Sequence, residues 1–234
     1  MTDRESRSAQ LLWGDRTRAP RGPKPSLSVD RIVAEGIELA DLEGLEALSM
    51  QRLATELGAG TMSLYRYVPS KDDLIALMLD AAMGAPPQVD EGVGWRGALE
   101  ACARSCAAVF ERHPWVLSLA ARPRTMGPNE VAYVEAALAA LSGTGLSSAE
   151  MIDTVVLLNG FVRGVAPFLA AERDTDRRLI DMELIAAHGR RENYPTVAAV
   201  LGELGGRRHR NADDSFEYGL RRILDGVAAR IDAP

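Results

Sequence analysis

With 234 residues, a net charge of −6 and an apolar fraction of 47%, the chain is long enough for one or two domains around a substantial core. No uninterrupted apolar run reaches the length of a membrane span, and the opening MTDRESRSAQ has no signal-peptide core, so a soluble cytoplasmic protein without a membrane partner is expected. The only cysteines, Cys102 and Cys106, sit four apart on one predicted helix and are poorly placed for a disulfide, which excludes a disulfide scaffold and fits a reducing compartment.

Residues 1–26 hold six basic residues against three acidic ones, are rich in Pro and Gly, and show no helical period. They are expected to form a flexible basic arm, densest in charge over Arg16–Lys24. Ser28 then caps a helix through about Leu42, with Ile32, Val33, Gly36, Ile37, Leu39 and Ala40 as its apolar stripe. Ser49 caps a short helix whose apolar face is Leu53, Ala54 and Leu57. Gly58, Ala59 and Gly60 permit a sharp reversal. A second short helix carries Met62, Leu64, Tyr65 and Tyr67, and Pro69 stops it. Ser70 caps a longer helix through Met83. Such a pair of short helices around a tight turn is the pattern of a helix-turn-helix, whose second member enters the DNA major groove.

Gly84, Ala85, Pro86 and Pro87 break the chain, which places an arm at 1–26, a DNA-binding domain at 27–84 and a second domain at 88–234. No strand-like alternation follows. Helices are expected over Trp95–Arg112, from His113 and Pro114 through Ala121, after Gly127 and Pro128 through Leu141, and from Ser147 and Ser148 to about Ala171. A charged stretch, Arg173–Arg191, contains the helical LIDMELIAAH. Thr196–Leu204 and Asp213–Ile231 complete an all-α reading.

The run LSMQRLATELGAGTMSLYRYVPSKDDL, from Leu48 to Leu74, resembles the DNA-reading module of the TetR family of bacterial one-component repressors. The resemblance rests on the small turn after Leu57 and Gly58, on Ser63, Leu64, Tyr65 and Tyr67, and on the helix start at Ser70, Lys71, Asp72, Asp73 and Leu74. It reaches upstream through Ser28 to Gly44. The segment from Trp95 to Glu150 and the closing FEYGLRRILDGV resemble the regulatory domain of the tetracycline-repressor branch. The resemblance implies a homodimer that binds a palindromic operator and is released by a small-molecule effector sensed in the C-terminal domain.

By that resemblance, Gln51, Thr61, Met62, Ser63, Tyr65, Tyr67 and Lys71 fall where the family touches DNA. Chemically, Gln51 suits a base edge, most naturally adenine, and Met62 a thymine methyl. Ser63, Tyr65 and Lys71 suit phosphate oxygens, which position the protein more than they specify sequence. Arg21 and Lys24 in the arm are candidates for minor-groove or phosphate contact; a solvated tail is the plainer reading.

In the C-terminal half, Asn159 and Arg163 lie four apart in the apolar VVLLNGFVRGVAPF, where an unpaired guanidinium needs a carboxylate, an interface or a ligand. Phe110, Trp115, Met126 and Phe168 are further candidates to line an effector pocket, although each also suits a core. Gly160 and Gly164 permit close helix packing. No cofactor is expected. Where the tetracycline-responsive branch holds a magnesium chelate through a histidine, Ser118 stands near that place. Cys102, Cys106 and His113 make no closed metal set. A Cys/His enzyme, or a small-molecule-binding protein without specific DNA recognition, remains the alternative class; no third orienting group for catalysis is evident.

Overall fold

A computed structural model describes residues 9–14, 27–90, 92–120, 124–171, 191–203 and 212–233, and every regular element among them is helical. Helix α1, Val29–Glu43, begins where the Ser28 hydroxyl accepts the Arg31 N–H at 3.2 Å, satisfying one of the donors a helix start leaves open. A 3₁₀ turn, Leu45–Ala47, leads to α2, Met50–Glu56, capped by Ser49. Then follow α3, Thr61–Tyr67, and α4, Lys71–Met83, capped by Ser70. Leu53, Leu64, Val68, Leu74, Leu77 and Met78 close the core of this half. Gly36 lets α1 and α4 approach, because a Cβ there would stand 2.8 Å from the Met78 sulfur.

After Gly84, the second half comprises α5, Gly94–Arg112; α6, Pro114–Ala120; α7, Pro128–Leu141; α8, Ser148–Ala171; a 3₁₀ turn at Arg191–Asn193; α9, Pro195–Glu203; and α10, Ala212–Ile231. Helix α5 is the centre of this half and packs on α7 and α8, while α10 packs mainly on α8. Phe161 stacks on Phe216 with ring centroids 5.6 Å apart, and only a glycine at Gly219 leaves room for the Phe161 ring. Arg96 bonds Asp225 at 2.7 Å, Arg104 bonds Glu217 at 2.8 Å, and Arg230 bonds Glu150 at 2.7 Å, so three ion pairs tie α10 to its neighbours.

One expectation needs correcting. Residues 9–13 are helical rather than unstructured. Leu12 is buried in the core, and the Trp13 indole donates to the Met126 carbonyl at 3.1 Å. The apolar triplet Leu11, Leu12 and Trp13 explains the docking, since burial offsets the entropy of ordering so short a segment. Helix α8 over Ser148–Leu169 is long and apolar enough, by length and composition, to cross a membrane, although Asp153, Asn159 and Arg163 interrupt its apolar run. Its Leu158, Val162, Ala166 and Leu169 are instead core residues, in the cluster that also holds Leu220 and Leu224 of α10. The remaining arm residues, with Arg21 and Lys24, and the segment expected at LIDMELIAAH lie outside the described residues.

Candidate functional site

The reading head is built from local geometry. Leu57 closes α2, Gly58 takes φ +63°, and the Ala59 N–H bonds the Ala54 carbonyl at 2.9 Å, turning the chain within three residues. Leu64 and Val68 anchor α3 to the core at zero exposure. Residues 100° to 200° around the helix from them must then face outward. Met62 is 77% exposed and Tyr65 40%, with Arg66 beside them. Thr61, Ser63 and Tyr67 lie half-buried at the edges of this face, Gln51 is exposed on α2, and Lys71 is half-buried in the first turn of α4. A seven-residue helix about 10 Å long, carrying a thioether, hydroxyls and a guanidinium, matches what a major groove admits. Arg66 is exposed on the same face and was not among the candidates taken from the sequence; its place between two aromatics on α3 was the available signal.

Helix α2 is held in place from α1. The Arg52 guanidinium forms a bidentate pair with Glu43, one bond being 2.8 Å from Nη1 to Oε2. The bonded Arg52 side chain holds the Glu43 carboxyl below the usual carboxylate range.

The second half does not gather the proposed effector residues into one place. Phe110 is 3% exposed and Trp115 6%, so both are core. Met126, Asn159 and Phe168 are exposed, Phe168 on the outward strip of α8 with Ile152, Val156 and Gly160. Arg163 is half-buried, and no ion pair holds it among the described residues. Burial pushes the Cys106 thiol up to about 12, and the charge of Arg163 works against that shift, which places Arg163 close to α5. Nearby, the Ser105 and Tyr133 hydroxyls bond at 2.8 Å between α5 and α7. Neither was singled out from the sequence, because a hydroxyl pair 28 residues apart leaves no local pattern. A cleft of about 210 Å³ lies between α5, α8 and α10, against Arg104, Ala107, Leu169 and Phe216. It contains none of the proposed residues and is smaller than the roughly 300–1,000 Å³ of ordinary ligand pockets.

Two family descriptions match, bacterial regulatory proteins of the tetR family over residues 32–78 and the tetracyclin repressor-like C-terminal domain over residues 86–231. The chain belongs to the TetR family of bacterial transcriptional regulators. It is similar to the HTH-type transcriptional repressor DrrR1 of Streptomyces coeruleorubidus, at 39% identity over 95% of this chain and 85% of that protein. It is also similar to the HTH-type transcriptional repressor Rv1353c of Mycobacterium tuberculosis, at 32% identity over 95% of this chain and 87% of that one. Among solved structures, ActR of Streptomyces coelicolor in complex with actinorhodin has a TM-score of 0.72 and 27% identity, covering 92% of this chain and 100% of ActR. Transcriptional repression is therefore the function of this TetR-family chain.

Proposed function

We propose that the chain acts in the cytoplasm as a homodimer that holds a pseudo-palindromic operator and lets it go when a small molecule enters the C-terminal domain. The observation that carries the dimer is the outward face of α8. Ile152 is 54% exposed, Val156 65%, Leu157 54% and Phe168 48%, and a Cβ on Gly160 or Gly164 would meet nothing within 4 Å. An apolar strip of this kind, flat enough for close helix approach and continued by the exposed Tyr218 of α10, fits a four-helix seam across a two-fold axis. Two reading heads then sit on half-sites about one helical turn, or a multiple, apart. Gln51, Met62 and Arg66 read bases, while Thr61, Ser63, Tyr65, Tyr67, Lys71, and Arg21 and Lys24 of the arm contact the backbone or minor groove.

For the effector, the junction of α5, α7 and α8 is the better supported place. Arg163 has no ionic partner there among the described residues, and Ser105 and Tyr133 supply hydroxyls. A guanidinium with hydroxyl companions suits an acidic or phenolic group on an otherwise apolar molecule. The solved ActR complex with actinorhodin supports a small-molecule effector. Asn159 and Phe168, on the outer side of α8, fit the dimer seam better than a pocket. Catalysis by the cysteines finds no support, because burial raises both thiols and suppresses the thiolate that attacks.

Footprinting on the DNA upstream of the protein's own gene, combined with sedimentation of the complex, tests this reading. Protection of a two-fold site by a dimer is expected. Monomers on an asymmetric site would refute it.

A further inference from the structure

Asp41 lies in the last turn of α1, within the reading domain, yet among the described residues its carboxylate is bonded from the other half of the molecule. Trp115 Nε1 donates to Oδ1 at 2.7 Å. His113 Nδ1 stands 2.8 Å from Oδ1 and 2.9 Å from Oδ2, the geometry of one ring N–H shared between both oxygens. Both donors belong to the α5–α6 corner, where His113 is 9% exposed and Trp115 6%. The corner is itself pinned: the His113 N–H bonds the Val109 carbonyl at 2.8 Å, and the His113 carbonyl accepts the Val116 N–H at 3.0 Å. The two rings therefore move with the corner as a unit. Release of Asp41 would leave buried donors without a partner, so the contact is either made or replaced, with little between.

Two residues farther on, Glu43 points to the opposite side of α1, as 200° of helix rotation requires. There it takes the bidentate grip of Arg52 on α2. The Arg52 backbone N–H is fixed by the Ser49 cap at 3.2 Å, and its neighbour is the base-reading candidate Gln51. The Glu43–Arg52 pair is exposed, with side-chain exposures of 48% and 37%. An exposed pair adds little stability, but a planar two-bond contact sets direction.

We infer that Asp41 and Glu43 are positioning residues that carry the state of the effector domain to the reading head, through the α5–α6 corner, the last turn of α1, and Arg52 of α2. This rests on the operator reading above. Coupling between sites is reciprocal, so an operator held by α2 must act back on the corner. No effector need be known to see it.

The experiment uses the full chain with ¹⁵N-labelled tryptophan, the Trp115 indole signal being identified by its loss in Trp115→Phe. The probe is a duplex carrying the footprinted upstream site. In the wild-type protein the Trp115 indole resonance shifts on duplex binding. In Glu43→Gln and in Arg52→Gln the duplex still binds, weakened by no more than about fivefold as befits an exposed pair, and most of that shift is lost. A merely structural role for the pair would leave the shift intact. A full shift in both variants, or a wild-type protein that binds the duplex without moving the Trp115 signal, overturns the inference. Failure of the wild-type protein to bind any such duplex overturns the operator reading, and this inference with it.

Discussion

The Asp80 carboxylate on α4 accepts the Asn129 backbone N–H at 2.8 Å, and the Asn129 side chain returns a bond to the Asp80 carbonyl at 2.8 Å. Asp80 is 5% exposed, so a charge in the reading domain is satisfied by the first turn of α7 in the other. Gly127 lies so close that a Cβ there would collide with the carboxylate.

Gly127→Ala should accordingly push Asp80 off Asn129 and destabilise the fold by roughly 1–3 kcal/mol. Urea melts of the two proteins check this; an unchanged midpoint would mean that the turn yields without cost. Gly84→Ala, where the penalty comes from φ +61° rather than from contact, offers a comparison of backbone strain against crowding.

On the DNA side, Gln51→Ala should cost roughly 1–3 kcal/mol of operator affinity and relax preference at one base pair of each half-site. Fluorescence anisotropy against a panel of single-base operator variants measures both effects. Leu64→Ala removes a fully buried anchor instead, and should lower stability by roughly 2–5 kcal/mol along with all DNA binding.

The arm should act through counterion release. Replacing Arg21 and Lys24 together by alanine should make the slope of log affinity against log salt shallower by about 2 per protomer, about 4 for the dimer, where both side chains meet phosphates. The preferred site should persist apart from its A·T flanks. Titration at several salt concentrations decides, and an unchanged slope would leave the two residues in solvent.

Gly160→Leu separates monomer from dimer. The open space around Gly160 means a larger side chain is free to form within the protomer and gains roughly 1 kcal/mol of helix propensity over glycine. Across a seam it overpacks. A protein with an undiminished melting temperature at high dilution, but a weaker dimer by sedimentation, is the expected result.

Acid should loosen α10 first. Glu150 is held down to about 2, chiefly by the Ser147 hydroxyl, then its backbone N–H and Arg230; Arg104 lowers Glu217, and Arg96 lowers Asp225. Carboxyls depressed in the folded state contribute stability that is complete above their unfolded values near 4–4.5 and lost as pH falls through the folded ones. Stability should thus be flat with respect to these groups near neutrality and decline from about pH 4.5 towards 2, with amides of α10 exchanging earliest. Because the pairs are exposed, the total effect is modest.

What could be read from the chain was what lies close along it. Ser28, Ser49 and Ser70 announced three helix starts because a cap acts on an N–H three positions away, and each bond is present. The reading head followed from the same short-range chemistry. Asp41 with His113 and Trp115 was invisible, since 72 and 74 positions separate the partners and no periodicity connects them. Phe110 and Trp115 looked equally suited to a pocket or a core, a choice that only packing makes. Asn159 and Arg163 share one flank of α8, but neighbouring helices, not spacing, decide that one is exposed and the other half-buried. Residues 9–13 were too few to show a helical period.

Cys102 and Cys106 are both buried, and burial raises their thiols, Cys106 to about 12. Near neutral pH almost no thiolate is exposed to a maleimide or iodoacetamide reagent. Both native thiols are therefore expected to react slowly with such reagents. A single cysteine placed at Leu42 or at Val200, 76% and 51% exposed, can carry a dye or spin label without removing either native thiol, which opens α1 and α9 to distance measurements in the unaltered core.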